Sequence, residues 1–270
     1  MFADTGLKDG DKARPKIHYL HTTPGHHIIR ILSEKAHRVD MHWVNGTSVQ
    51  CLGEECPLCE NNKIIRTENP DTFREISGYI PYRKTFYINI YDRTPVKICP
   101  NCGYENTKVE GGAFPAVCDK CQTLIASIEA HQSNSIKVLV KGVSVFDQFN
   151  ALYASVLDES GEPVSLNKYD IDLYVQGVGR NTKITAIPRT DKMDVIEYKE
   201  EDLYDLENIP LKLSADEILQ LQRKVSLQDI FAARRAKETS DAVITDVGEQ
   251  LELIPKDVKE ELNDRINKFF

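Results

Sequence analysis

A strand-like stretch, YIPYRKTFYINIYDRTPVK (79–97), lies between two cysteine clusters in this sequence. In its middle, FYINIY (86–91), two isoleucines alternate with tyrosine and asparagine, which is the period of a β-strand with one face in a core. We expect Phe86 and the isoleucines to face the core. Tyr87 and Tyr91 then lie on the other face, which we expect to be exposed because tyrosine keeps a polar tip.

Aromatic and basic residues are interleaved along this stretch, and Asp92 is its only acidic residue. Aromatic rings stack on bases and cations neutralise phosphates, so the composition is typical of proteins that bind single strands without reading their sequence. An ordinary amphipathic strand with aromatics in its core would look the same. Trp43 either stacks on a base or packs against the neighbouring cysteine cluster. The candidate DNA-binding residues, including cations on later strands, are Trp43, Tyr79, Tyr82, Arg83, Lys84, Tyr87, Tyr91, Arg93, Lys137, Lys141, Arg180 and Lys183.

Four cysteines after the stretch form two CxxC knuckles, CPNC and CDKC, with 15 residues between them. This spacing is typical of a zinc ribbon, in which each knuckle supplies two thiolates to a tetrahedral Zn²⁺. A site with four thiolates has no open position, so we expect a structural rather than a catalytic metal. Redox cysteines or chance spacing are the alternatives. The predicted ligands are Cys99, Cys102, Cys118 and Cys121.

Three further cysteines precede the stretch in CLGEECPLC (51–59), so the seven cysteines divide into a set of four and a set of three. An odd number argues against a closed set of disulfides, and three thiolates need a fourth ligand to complete a zinc site. His42 is the favoured donor, across a hairpin predicted at NGT (45–47). His37 is the rival donor, and a cluster without metal is the third possibility. We therefore expect two Zn²⁺ per chain, the second on His42, Cys51, Cys56 and Cys59.

Strand patterns surround these clusters on both sides. Short runs of β-branched or alternating residues predict strands, and apolar residues at helical spacing predict one helix. Strands of this length and spacing are typical of a small β-barrel. We expect a mainly β protein with C-terminal helices, of the α+β class, with the zinc ribbon inserted in the barrel at about 98–125. The predicted strands lie at 26–33, 37–44, within 77–94, and at 135–143, 171–179 and 183–189, and the helix at 145–157.

Charge is distributed unevenly along the chain. Residues 191–270 hold 12 of the 34 Lys and Arg and 20 of the 42 Asp and Glu, which accounts for the whole net charge of −8. A neutral body therefore precedes an acidic C-terminal region, in which Ser214 and Glu217 predict a capping box at the start of a helix. We expect a flexible N-terminal arm at 1–25, a DNA-binding core at 26–190 and an acidic helical region for partner interaction at 191–270.

Several classes of protein are disfavoured by the sequence. It contains no run of about 18 apolar residues and no apolar segment near its N-terminus, so we expect a cytoplasmic protein without a membrane partner. It also contains no phosphate-cradling GxxxxGK[ST], no nucleophile elbow, no paired-carboxylate motif and no HxE…PCxxC deaminase signature. We therefore expect a protein that is not an enzyme.

The chain resembles the single-stranded DNA-binding proteins of T-even-type phages in GHHIIRILS, HWVNG, C-x4-CPLC and KTFYINIYD. The later segments SIKVLVKGVSVFDQFNALY, YDIDLYVQGVG and KITAIPR are also similar, so the resemblance covers roughly residues 26–190. In that family an OB-fold carries one zinc ion on a histidine and three cysteines. The positions of this sequence that match those ligands are His42, Cys51, Cys56 and Cys59.

This resemblance implies an OB-fold β-barrel and a role in phage DNA replication, recombination and repair, in the cytoplasm of the bacterial host. It also implies cooperative binding through the N-terminal arm, and contacts of the acidic C-terminal region with replisome or recombination proteins. The sequence departs from the family in a shorter gap between Cys51 and Cys56, in the added four-cysteine ribbon, in an arm without an obvious basic motif and in a C-terminus that ends NKFF.

Two functions follow from these patterns. The first is a non-enzymatic protein that binds and protects single-stranded DNA through stacking and backbone contacts. The alternative is a zinc-ribbon interaction protein or transcription-type factor that docks on a polymerase.

Overall fold

A computed structural model describes residues 16–33, 35–108, 113–190 and 196–237. These residues form a mixed α+β structure with two antiparallel sheets, so the predicted α+β class is confirmed. Every strand predicted from sequence is present, within a few residues of its predicted bounds. The strands are β1 Gly25–Ile31, β2 His37–Val44, β3 Thr47–Gln50, β4 Tyr82–Asp92, β5 Pro95–Ile98, β6 Glu105–Thr107, β7 His131–Gln132, β8 Ser135–Gly142, β9 Asp170–Gln176 and β10 Lys183–Arg189.

The large sheet has the order β10-β9-β1-β4-β2-β3, and β8 also pairs with β4. β4 is 11 residues long and pairs with three strands. Its end meets β1, with Arg30 opposite Tyr91, and its beginning meets β2, with His42 opposite Tyr82. Among the described strands the sheet does not close into a barrel, so the predicted barrel is not confirmed.

The main core lies between one face of this sheet and a helix. Isoleucines of β1, β4 and β9 point to this face, as the alternation in sequence predicts. Helix α2 (Val143–Ser155) buries Phe146, Phe149 and Leu152 against them, and the Phe86 ring stacks on Phe146 with 4.6 Å between centroids. The helix predicted at 145–157 is therefore confirmed.

A smaller apolar cluster covers the opposite face of β4. Tyr87 lies there with Val39, Met41 and Val138, and it is only 6% exposed. Side chains from the chain segment at 196–212, which follows β10, pack against the same cluster. The prediction that Tyr87 is exposed is wrong, because both faces of β4 are covered from residue 87 to residue 90.

The small sheet belongs to the cysteine ribbon. Its order is β6-β5-β7, and its core consists of Ile125 together with the four cysteines, with Tyr104 and Ile128 partly buried beside them. The insertion predicted at about 98–125 thus forms a separate sheet within 95–132, although the second CxxC knuckle itself lies outside its strands.

The chain divides into two compact units, residues 1–42 with 82–212 and residues 43–81 with 213–270, and the boundary falls inside β2, after His42. The predicted division into an arm, a core and a C-terminal region stays a prediction, and the compact units cut the chain at other places. The predicted N-terminal arm falls mostly outside the described residues, as does everything after residue 237.

The described residues of the second unit form three α-helices, α1 Pro57–Glu68, α3 Ala215–Gln222 and a helix described over 227–237. α1 was not predicted, although Pro57 at its first turn is a start signal. α3 begins with the predicted capping box: the Glu217 N–H donates to Ser214 Oγ (3.3 Å), and the Ser214 N–H donates to Glu217 Oε2 (2.7 Å). α3 buries Ile218 and Leu221. In the part of the chain that the structure describes, no helix has the length and apolar character needed to cross a membrane.

Candidate metal centres and nucleic-acid interface

The four cysteines of the ribbon converge on one point. Their sulfur atoms all lie within 4.8 Å of one another, and the cysteines form no disulfide. Sγ of Cys99 is 3.5 Å from Sγ of Cys121, and Sγ of Cys102 is 3.7 Å from Sγ of Cys118. A disulfide requires about 2.05 Å, whereas a tetrahedral ion with metal–sulfur bonds of about 2.3 Å places its sulfurs roughly 3.8 Å apart. The cluster can therefore hold a metal ion.

The two knuckles share one backbone design. The Gly103 N–H donates to Cys99 O and the Gln122 N–H donates to Cys118 O, each with a donor–acceptor distance of 2.9 Å. Gly103 and Gln122 each have a positive φ, 66° and 60°, which the tight turn requires and which glycine adopts at less cost. Each knuckle thus points two sulfur atoms to the same side.

Thiolate formation is already favoured at one corner of this cluster. The hydroxyl and backbone N–H of Thr123 lower the pKa of Cys121 to about 5, and the hydroxyl lies 3.2 Å from its sulfur. Metals bind thiolates rather than thiols, so this corner is prepared for a cation.

The second cluster joins His42 to Cys51, Cys56 and Cys59, with all ligand atoms within 4.8 Å of one another. His42 is fully buried, and Sγ of Cys51 is 3.5 Å from Sγ of Cys59. The predicted donor is thus in place. His37, the rival, lies outside both clusters, with its ring 6.5 Å from the Tyr87 ring.

Local structure places each of these ligands. His42 is on β2, and Cys51 follows β3, after a turn in which Asn45 and Gly46 both have positive φ, as an Asn-Gly hairpin turn requires. Cys56 caps the N-terminus of α1, and Cys59 lies in the first turn of that helix. Burial opposes ionisation of Cys56, but backbone hydrogen bonds, led by that of Leu52, lower its pKa overall.

The predicted DNA-binding residues at the beginning of β4 are exposed. Tyr82 is 47% exposed, and Arg83 and Lys84 follow it on the surface. They pair in register with Asp40, Met41 and His42 of β2, so the strand that carries His42 also supports them. In the second unit, Trp43 is 57% exposed and Tyr79 is half-buried, with its hydroxyl accepting hydrogen bonds from Arg66.

Other predicted DNA-binding residues have partners within the protein. The Lys137 ammonium contacts Asp92 (2.8 Å) and Glu105 (2.6 Å), and Arg93 Nη1 lies 3.2 Å from Asp170. Lys141 is partly buried and donates to the Thr22 hydroxyl, and burial lowers its pKa. Lys183 is exposed on β10, Tyr91 is half-buried, and the side chain of Arg180 lies outside the described residues.

A group of polar residues that was not predicted lies on β1, β9 and β10. The His26 and Tyr174 rings stack with 4.5 Å between centroids, and His26 Nδ1 lies 2.9 Å from Asp172 Oδ2. A cavity of about 480 Å³ opens at the end of the same strands, lined by Tyr91, Arg93 and Arg189 among others. The alternation in DIDLYVQ and KITAIPR was a signal that could have identified this face.

No protein-family model matches the chain, and no curated protein matches its sequence.

Proposed function

We propose that the chain is a non-enzymatic single-stranded DNA-binding protein whose two metal clusters each hold a structural Zn²⁺. We propose that its large sheet is an OB-fold, a fold whose antiparallel strands form a partly open barrel. The antiparallel strands around β4 support this fold. The resemblance to the T-even phage proteins supports a role in phage replication, recombination and repair in the bacterial cytoplasm.

Zinc is the metal that fits the ligand chemistry of both clusters. Four cysteines, or three cysteines and one histidine, are the ligand sets of closed structural zinc sites. Neither set contains the carboxylate that would favour harder cations. Because each set supplies four ligands, no position is left for water or substrate, and the ions would stabilise loops rather than catalyse a reaction.

The observation that carries the DNA-binding proposal is the exposed group at Tyr82, Arg83 and Lys84. Tyr82 and Lys84 share one face of β4 and Arg83 lies on the other, and all three side chains are exposed on a strand that pairs with the strand of His42. Stacking and phosphate neutralisation together bind single strands with little regard to sequence. The buried contacts of Lys137 and Tyr87 remove those two residues from the interface but leave this group unaffected.

Titration of labelled oligothymidylate with the full chain tests this function. We expect binding to a single strand to weaken as salt rises and to exceed binding to a duplex of the same length. The double variant Arg83→Ala, Lys84→Ala should bind more weakly, with a salt slope reduced by about 1.4 if each cation neutralises one phosphate. Lys35→Ala, which removes an exposed cation elsewhere in the same unit, is the matched control. Salt-insensitive binding, or none, would refute the proposal.

One observation favours the alternative, a ribbon that docks on a polymerase or another protein. Leu124 is 67% exposed and Val117 is 37% exposed, both on the ribbon. Exposed apolar side chains are frequent at protein interfaces. Capture of a polymerase by the wild-type chain but not by Leu124→Ser, with DNA binding absent in both, would favour this second function. Contacts of the acidic C-terminal region with replisome or recombination proteins are part of the main proposal.

A further inference from the structure

One face of the sheet formed by β10, β9 and β1 is turned to solvent. Directly opposed residues of antiparallel strands share a face, so the register places His26, Tyr174 and Thr185 in one row. Ile28, Asp172 and Ile187 form the next row, and Lys183 and Gln176 lie beyond the first. Intervening residues of these strands pack in the main core, namely Ile29, Ile171, Leu173, Ile184 and Ala186. The face is therefore a regular surface with rings, cations and amides at fixed positions.

Its centre is a stacked pair of rings. The His26 and Tyr174 rings lie 4.5 Å apart at an interplanar angle of 18°. Both carboxylate oxygens of Asp172 lie within hydrogen-bond distance of His26 Nδ1, at 3.1 and 2.9 Å, which fixes the orientation of the imidazole. The side chain of His26 is nevertheless 52% exposed. An aromatic surface held rigid but left exposed is what base stacking needs.

Cations flank this pair on the same face. Lys183 and Arg189 lie at the two ends of β10, and both are exposed. The cavity at the far end adds Tyr91 and Arg93, with the amides of Gln132 and Asn134. Two carboxylates are also nearby, but Asp170 is neutralised by Arg30 and Arg93, and Asp172 is engaged by His26. Glu197 is the remaining acidic residue in the cavity lining.

We propose that this face is a second contact site for a single nucleic-acid strand, in which a base stacks on the His26–Tyr174 pair and phosphates approach Lys183 and Arg189. This inference rests on the proposed function and extends it. The order of rings and cations across the face complements a strand that carries a base and a phosphate at every step. Direct base readout is not required.

The new site is separate from the exposed group at the beginning of β4. Tyr82 and Tyr91 are nine residues apart on one strand, which corresponds to roughly 30 Å at about 3.3 Å per residue. Tyr91 belongs to the cavity next to the new face. A strand that contacts both sites therefore has to be several nucleotides long.

Affinity measurements with an oligothymidylate of about 16 nucleotides, the upper end of known site sizes for such domains, test the inference. Tyr174→Leu should weaken binding about 5- to 100-fold, because it removes one stacking partner. Tyr174→Phe keeps the ring and should bind like wild type. The double variant Lys183→Ala, Arg189→Ala should lower the salt slope by about 1.4 if each cation neutralises one phosphate.

Matched controls separate this result from a folding defect and from failure of the main proposal. Tyr153→Leu removes a tyrosine from α2, outside the face, where the side chain is 48% exposed and therefore more exposed than the half-buried Tyr174; this variant should bind like wild type. Normal affinity in both Tyr174→Leu and the double cation variant, with wild-type binding intact, would overturn the second site and leave the proposed function standing. That outcome would also be seen if the face instead bound a protein. If the wild-type chain shows no salt-sensitive binding, both proposals fail together.

Discussion

His42 is a fully buried histidine whose ring nitrogen lies within 4.8 Å of three cysteine sulfurs. A buried imidazole next to three thiols gains little from them unless a cation converts the thiols to thiolates and bridges all four side chains. His42 is also the last residue of the first unit before the boundary inside β2. Its role as a ligand can therefore be tested by counting metal ions.

His42→Ala should reduce bound zinc from two ions per chain to about one, since three ligands bind a structural zinc ion far less tightly than four. Inductively coupled plasma mass spectrometry of the purified chain provides the count. His37→Ala is the control and should keep both ions. Two ions in His42→Ala would assign the fourth ligand to another group, and one ion in the wild-type chain would remove this centre from the proposal.

His27 is the second histidine for which the structure makes a prediction. It is 1% exposed, its Nε2 lies 2.7 Å from Thr23 O, and its Nδ1 has no hydrogen-bond partner among the described residues. Burial lowers its pKa, although the bond to Thr23 and the nearby carboxylates of Asp92 and Asp172 act against this and Lys141 adds to it. The folded chain therefore keeps this imidazole neutral at pH values at which the unfolded chain protonates it.

The free energy of unfolding should consequently fall as the pH drops below about 6.5, because the unfolded state then binds more protons at this position. The loss can reach about 1.4 kcal/mol per pH unit until the folded-state pKa is reached. His27→Gln should show a smaller loss between about pH 7.5 and pH 5.5 in urea unfolding. The metal ligands are identical in both chains, so the difference isolates His27. Equal losses would contradict the prediction.

At the scale of elements, β4 is the strand on which the sheet depends. One face of β4 packs against α2, and the segment at 196–212 covers the other face. The Asn89 Nδ2–H donates to Tyr204 O (3.0 Å), and the Tyr204 N–H donates to Asn89 Oδ1 (3.1 Å). The Tyr198 hydroxyl also donates to Leu32 O (2.9 Å). The side-chain amide of Asn89 thus makes the two backbone hydrogen bonds to this segment that a neighbouring strand would otherwise make.

Asn89→Ala should destabilise the chain by about 1–3 kcal/mol, because it leaves the partly buried backbone N–H and C=O of Tyr204 without their Asn89 partners. Amide hydrogen exchange around Tyr204 should rise by more than exchange in β9. Asn150→Ala, at an exposed position of α2, serves as the control and should change little. An Asn89→Ala chain with unchanged stability and exchange would show that apolar packing alone holds the segment at 196–212.

Local patterns predicted most elements of this fold. Alternation or helical spacing predicts, with bounds within a few residues of those observed, the elements β1, β2, β4, β8, β9, β10 and α2. Cysteine spacing and one hairpin predict the candidate metal ligands. The burial of Tyr87 could not be predicted in this way, since the segment that covers it lies more than 100 residues further along the chain. α1 was missed because Cys56 and Cys59, which begin the helix, were interpreted only as ligands.

At the scale of the whole molecule, the ribbon is the part whose stability would depend most on a bound metal ion. Among the described residues of the cluster that forms its core, Ile125 is the only buried side chain apart from those of Cys99 and Cys118. So small an apolar core stabilises little by itself, and thiolate–metal bonds have to supply the rest. The large sheet, by contrast, has its own core around α2. The ribbon and the large sheet should therefore fold and unfold independently of each other.

A shortened chain tests this independence and decides whether the ribbon takes part in DNA binding. Pro95 pairs with Gln132 and Val96 with His131, so Lys97 faces Ala130, and an Asn-Gly turn can join these two residues in place of 98–129. Lys137 loses Glu105 but keeps Asp92 at 2.8 Å. We expect the shortened chain to fold and to bind one zinc ion per chain.

Its affinity for oligothymidylate should stay within about threefold of wild type, a difference of less than about 0.7 kcal/mol. Full-length Cys118→Ser, which loses the ribbon metal but keeps every other residue, is the matched control and should behave in the same way. A folded shortened chain that no longer binds single strands would place the ribbon in the interface and limit the exposed group on β4 to an accessory contact. Retained DNA binding together with loss of polymerase capture would instead assign the two functions to different parts of one chain.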